Sequence, residues 1–119
     1  MLRELYLLEF KVLKIDPDEA VYVISVVSKL TGVPPKTLRL YDEKGILSPK
    51  RTPKNQRLYS QRDVEKLRYL VYLSNLKHVN IAGLQEIIRI LEYVPPEIRE
   101  ELMQEAETEI ENIDNEHNQ

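Results

Sequence analysis

The chain contains no cysteine, two histidines and three glycines among its 119 residues. Without cysteine there is no disulfide, no thiolate metal site and no cysteine nucleophile. The histidines, His78 and His117, lie far apart, one at a helix end and one beside the C-terminus. No Ser-His-Asp order, phosphate-cradling glycine loop or metal-ligand cluster can be assembled. The chain is therefore read as a non-enzyme, with no catalytic residue, metal or cofactor expected. Long hydrophobic runs are missing as well, and no stretch approaches the roughly 20 apolar residues of a membrane span. The opening MLRELYLLEFKVLKI is interrupted by Glu4, Glu9 and Lys11 and is followed by no small-residue cleavage site, so it does not read as a signal peptide. A cytoplasmic location without a membrane partner is the expectation.

What is present is a strong segregation of charge. The net charge is −3. Residues 25–69, however, hold eleven bases against four acids, and residues 92–119 hold ten acids against Arg99 alone. Salt screens charge over about 8–10 Å, so a basic block acts locally whatever the sum of the chain. The basic block suits phosphates. The acidic end would be repelled by them and should point away from any duplex.

At roughly 100–200 residues per domain, the length favours one domain with a helical arm. Residues 1–20 form an extension in which Leu2, Leu5, Leu8, Val12 and Ile15 have helical spacing, while Leu8, Phe10 and Val12 also alternate as in a strand. Helix is preferred, stopped by Asp16-Pro17-Asp18. Residues 21–92 form the main domain. Ser25 is expected to cap a short helix with Val27 and Leu30 inward and Gly32 at its end. Pro35 opens a second helix that runs to Lys44 and stops at Gly45. Two short helices joined by a tight turn make a helix-turn-helix. Residues 46–59 read as a small β-wing with its tip at Pro53 to Gln56, where Asn55 tolerates positive φ. Ser60 to Asp63 resembles a capping box, and Val64, Leu67, Leu70, Val71 and Leu73 follow at helical spacing. Asn80 caps a helix bearing Leu84, Ile87, Ile88 and Leu91. After Pro95-Pro96, residues 93–119 form an acidic helix.

On a wheel of 100° per residue, Lys36, Arg39, Leu40 and Glu43 share one face of the second helix. Leu38 and Asp42 point the other way, and Tyr41 lies at the boundary. A charged face carrying one apolar residue suits a major groove. Arg and Lys match the guanine acceptors, and Leu40 matches a thymine methyl. Thr37 and Tyr41 can donate to phosphates. The alternative is a solvated helix with an Arg39–Glu43 pair. The wing crowds Lys50, Arg51, Lys54 and Arg57 together, at a cost unless a polyanion neutralises them. Tyr59 either reaches a phosphate or packs the wing onto the helices. Arg62 and Lys66 read as a solvated helix face. The candidate DNA-binding set is Lys36, Thr37, Arg39, Leu40, Tyr41, Lys44, Arg51, Lys54, Arg57 and Tyr59.

These residues resemble a family. Tyr22-Val23-Ile24-Ser25, Thr37-Leu38-Arg39-Leu40-Tyr41-Asp42, Gly45-Ile46-Leu47-Ser48-Pro49 and Arg57-Leu58-Tyr59-Ser60 look like the MerR family of bacterial regulators. Pro35-Lys36-Thr37-Leu38-Arg39, Ser48-Pro49-Lys50-Arg51-Thr52 and Val79-Asn80-Ile81-Ala82-Gly83 are most similar to its heat-shock repressor branch. The resemblance covers roughly residues 21–92. It implies a mainly α, winged helix-turn-helix fold whose second helix enters the major groove. Lys36 would then lie nearest base edges, Arg39 and Tyr41 near the backbone, and Arg57 and Tyr59 on flanking phosphates. It further implies a homodimer on an inverted repeat of double-stranded DNA, repression of chaperone genes and a DnaK-type chaperone as co-repressor. The chain departs from the family at Leu40, where an aromatic residue is common, and at the wing tip, which lacks glycine.

The last helix carries Ile98, Leu102, Ala106, Ile110 and Ile113 on one drifting stripe, read as the dimerisation surface. The alternative is packing onto the helix at 84–91. Two other functions stay open: an excisionase-like architectural protein that bends DNA, and an adaptor acting through the acidic helix. No small-molecule effector is expected, because neither an effector domain nor metal-binding cysteines follow the domain.

Overall fold

A computed structural model describes residues 15–117. The expected helix at 2–15 lies outside the described residues. The first strand, β1, is Tyr22–Val23 and leads directly into α1, Ile24–Thr31. The helix therefore begins one residue before Ser25, and its N-cap is Val23 with no side-chain cap. The expected Ser25 cap is corrected: the strand delivers the backbone, so Ser25 falls inside the first turn. Gly32 closes α1 at φ 75° with its N–H on the Ser28 carbonyl, a left-handed conformation that costs glycine nothing.

Helix α2, Pro35–Glu43, starts on Pro34-Pro35 and buries Leu38 and Tyr41. Lys44 is its C-cap, and the chain turns at Gly45 so that the Ile46 N–H meets the Tyr41 carbonyl. Strands β2, Lys50–Arg51, and β3, Arg57–Tyr59, form the wing as an antiparallel hairpin pairing Arg51 with Arg57. Asn55 sits at its tip with φ 66°, as the turn chemistry predicts. The order β1–β3–β2 adds a strand that periodicity does not reveal. A two-residue strand is too short to show alternation, yet Tyr22 opposite Tyr59 fastens the base of the wing to the helices.

Helix α3, Gln61–Val71, has the full reciprocal cap: Ser60 Oγ accepts from the Asp63 N–H, and Asp63 accepts from the Ser60 N–H. A π-helical turn follows at Tyr72–Leu76, and His78 then takes φ 57°. Helix α4, Ile81–Leu91, is capped by Asn80. A Cβ on Gly83 would lie 2.6 Å from a Val79 methyl, so this first turn of α4 packs closely only because residue 83 has no side chain. The last helix, α5, is Pro96–His117. The core gathers Val27, Leu38, Ile46, Tyr59, Leu67, Leu70 and Leu84, drawing on every layer from α1 to α4 and on the wing.

Helix α5 returns onto α3. Arg68 grips Glu107 through two hydrogen bonds of 2.8 and 2.9 Å. Glu109 accepts from the Tyr72 hydroxyl and from the Lys77 ammonium. Ala106 is buried within the single chain. It is thereby corrected as a surface for a second copy, because its small side chain lets α5 approach its own domain. Leu102, Ile110 and Ile113 are half-buried and Ile98 is exposed.

Candidate nucleic-acid interface

The outer face of α2 is set by the burial of the opposite one. With Leu38 and Tyr41 fixed in the core, Lys36, Arg39 and Glu43 must face solvent, and all three do. Thr37 and Leu40 are half-buried on the flanks, and Lys44 is exposed at the end of the helix. Arg39 forms no ion pair with Glu43, although the spacing allows one. Lys36, Arg39, Lys44, Lys50 and Lys54 have no ion pair with any described residue. Their charge is left over for an external anion.

Two wing arginines behave differently. Asp42, on the inner flank of α2, accepts from Arg51 Nη2 at 2.7 Å and from Arg57 Nε at 2.8 Å. Arg51 also donates to the Asn55 carbonyl and side chain, so it ties the wing tip to the same carboxylate. Burial pushes the Asp42 carboxyl up, but the hydrogen bonds from Arg57 and Arg51 outweigh it, and the group titrates below its ordinary value. The like-charge crowding expected of the wing is thus relieved in part from inside the chain. The side chain of Arg51 remains 37% exposed, whereas that of Arg57 is 19% exposed. Arg57 is primarily a tie between wing and helix.

Tyr59 is fully buried, and its hydroxyl has no hydrogen-bond partner among the described residues. This corrects its assignment to the DNA surface: it packs the wing onto the helices. Tyr41 is likewise corrected, being 4% exposed and part of the core. Burial raises the pKa of both phenols. Lys66 is not on a solvated face either. It is half-buried, and burial lowers its pKa. Arg62 remains exposed, paired with Asp18.

Two contacts escaped the sequence. Asp42 bridges 9 and 15 residues to its arginines. The wheel gave a hint, since it turned this acid away from the charged face. Gln85 on α4 donates to the Lys44 carbonyl at 3.0 Å and steadies the end of α2. Nothing in the local sequence marks that bond.

A short helix-turn-helix, a basic hairpin fastened beside its second helix and unpaired cations on both define a winged helix-turn-helix DNA-binding module. Residues 22–90 match the MerR HTH family regulatory protein family. The chain belongs to the MerR family. It is similar to a heat shock protein HspR of Streptomyces coelicolor, 48% identical over 73 residues, covering 61% of this chain and 48% of that one. It is 31% identical over 94 residues to the HTH-type transcriptional regulator GlnR of Bacillus anthracis, covering 77% of this chain and 72% of that one. The N-terminal part of MtaN, the Bacillus subtilis multidrug transporter activator, has a similar fold, with a TM-score of 0.52 at 26% identity, over 82% of this chain and 89% of that one. The chain thus spans about half the length of its HspR relative. The family and its matched relatives are transcriptional regulators, not enzymes. Among the described residues, no helix is long and apolar enough to cross a membrane.

Proposed function

We propose that the chain is a cytoplasmic repressor that binds an inverted-repeat operator as a homodimer and controls heat-shock or chaperone genes. The similarity to HspR supports the choice of genes. The observation that carries the DNA contact is the set of unpaired cations shared by α2 and the wing. Lys36 and Arg39 read base edges or hold the backbone from α2, with Thr37 and Leu40 beside them and Lys44 at the end of the helix. Lys54 and Arg51 hold phosphates from the wing, and Arg57 keeps that wing in register. A second copy docks along α5 through what its own domain leaves uncovered, namely Ile98 with the outer edges of Leu102, Ile110 and Ile113. A DnaK-type chaperone is the co-repressor this reading adds.

Genomic footprinting with the purified chain tests the proposal. A palindromic footprint upstream of chaperone genes is expected. A salt titration should show log K falling with a slope of about −0.9 per phosphate contacted. An architectural excisionase-like protein would leave an asymmetric, bent site, and an adaptor would show no salt slope at all.

A further inference from the structure

Between the base of the wing, α3, the end of α4 and α5 lies a partly open cavity of about 730 Å³. That is the size of a small-molecule pocket. Tyr69, Leu91, Met103 and Ile110 give it an apolar wall. Of the five cations that line the same space, Arg62 and Arg68 are held in ion pairs, whereas Lys66 from α3 and Arg99 from α5 are in none with any described residue. The Arg99 Nε is buried with no hydrogen-bond partner among the described residues. Lys66 makes no ion pair with any described residue, and burial disfavours its charged form.

Six carboxylates also line this space, Asp18, Asp63, Glu65, Glu92, Glu100 and Glu107, but none forms an ion pair with Lys66 or Arg99. Asp63 is spent on the cap of α3 and Glu107 on Arg68. Glu92 attracts Lys66 from a distance but forms no ion pair with it. A buried, unanswered guanidinium N–H costs free energy that an anion in the cavity would recover. The apolar wall requires that the rest of such an anion be hydrophobic.

We propose that this cavity is a binding site for a small amphipathic carboxylate, with its carboxylate between Lys66 and Arg99 and its apolar body against Leu91, Met103 and Ile110. The site joins α3 to α5 at a second place besides the Arg68–Glu107 pair. Its occupancy fixes how the acidic helix sits on the DNA-reading domain. It departs from the expectation that no small-molecule effector acts on this chain.

Calorimetric titration of the full chain with sodium octanoate and sodium phenylacetate, and with neutral 1-octanol, tests the site without any DNA. Failure here therefore leaves the DNA-binding reading untouched. Saturable binding of at least one acid is expected, with octanol at least about tenfold weaker than octanoate, as loss of a charge-assisted hydrogen bond implies. Lys66→Met and Arg99→Met should each weaken the acid by about tenfold or more. Unliganded Lys66→Met should melt no lower than the parent, because an unpaired buried charge has been removed. No saturable binding of either acid, octanol binding as well as octanoate, or undiminished binding by both variants would each overturn the site. The comparison of octanoate with octanol on the unaltered chain decides the matter even if a variant fails to fold.

Discussion

The two sides of this small domain handle charge in opposite ways. On the side of α2 and the wing, Lys36, Arg39, Lys44, Lys50 and Lys54 have no ion pair with any described residue. On the side of α3 and α5, Arg68 closes on Glu107, and Lys77 and Tyr72 close on Glu109. The acidic helix supplies Glu107 and Glu109 to the back of the domain and no ion pair to the front among the described residues. A net charge of −3 therefore says little about what the front can bind. Position within the fold, not composition, decides which cations remain available for DNA. Asp42 stands between the two regimes, answering wing arginines from within the helix that carries the unpaired cations.

The comparison breaks most visibly at Arg68. Arg68→Ala removes one partner of a half-buried, bidentate pair and leaves Glu107 without its main partner. The hydrogen bond to Glu107 also holds the Arg68 pKa above its ordinary value. Chemical denaturation should show a loss of about 3 kcal/mol, while DNA affinity at temperatures where the chain is folded should not change. A comparable loss of DNA affinity would mean that the back of the domain is not electrostatically separate from the front.

Arg39→Ala should do the reverse. Fluorescence anisotropy with operator DNA should show a loss of about 2 kcal/mol of binding. The melting temperature should stay where it was, since Arg39 is exposed and has no ion pair to lose among the described residues. Unchanged affinity at matched salt would remove Arg39 from the DNA surface.

Asp42→Asn sharpens the boundary between the regimes. It should cost about 1.5 kcal/mol of stability, because two charge-assisted bonds weaken. It should also steepen the salt dependence of DNA binding, because Arg51 is released towards phosphates. The pH dependence follows from the lowered pKa of this carboxyl. A carboxylate with a depressed folded-state pKa adds stability above its unfolded value of about 3.9, and that stability is lost as the pH falls through the folded value. NMR of the Arg57 Nε–H should therefore show the clasp intact at neutral pH and opening only in acid below that point.

Tyr59→Phe should have the smallest effect. The hydroxyl is buried without a partner among the described residues, so removing it should leave stability unchanged or raise it by up to about 1 kcal/mol. DNA affinity should be unaffected. A drop in affinity would return Tyr59 to the phosphate surface.

Much of the fold is legible locally. Gly32, Pro35, Gly45, Asn55, Ser60 with Asp63, and Asn80 each impose a backbone geometry or a cap that needs only near neighbours. The 3.6-residue period correctly sends Leu38, Val64, Leu67, Leu70, Leu84 and Ile88 inward. Strand β1 was missed because its partner is 37 residues away, Tyr22 opposite Tyr59, and two residues carry no period. The tyrosines were misplaced because a Tyr has both an apolar body and a polar tip, and sequence alone does not say which one wins.

The amino-acid sequence alone determined the helix ends at Gly32, Pro35, Ser60 and Asn80, the turn at the wing tip and the split into a basic block and an acidic end. All of these depend on interactions within a few residues or on simple counting. Only the tertiary structure decided that Asp42 holds the wing arginines, that Ala106 faces its own domain and that Lys66 and Arg99 share a cavity. Those pairings span tens of residues in the case of Lys66 and Arg99, and they depend on how rigid helices pack, which no local propensity encodes.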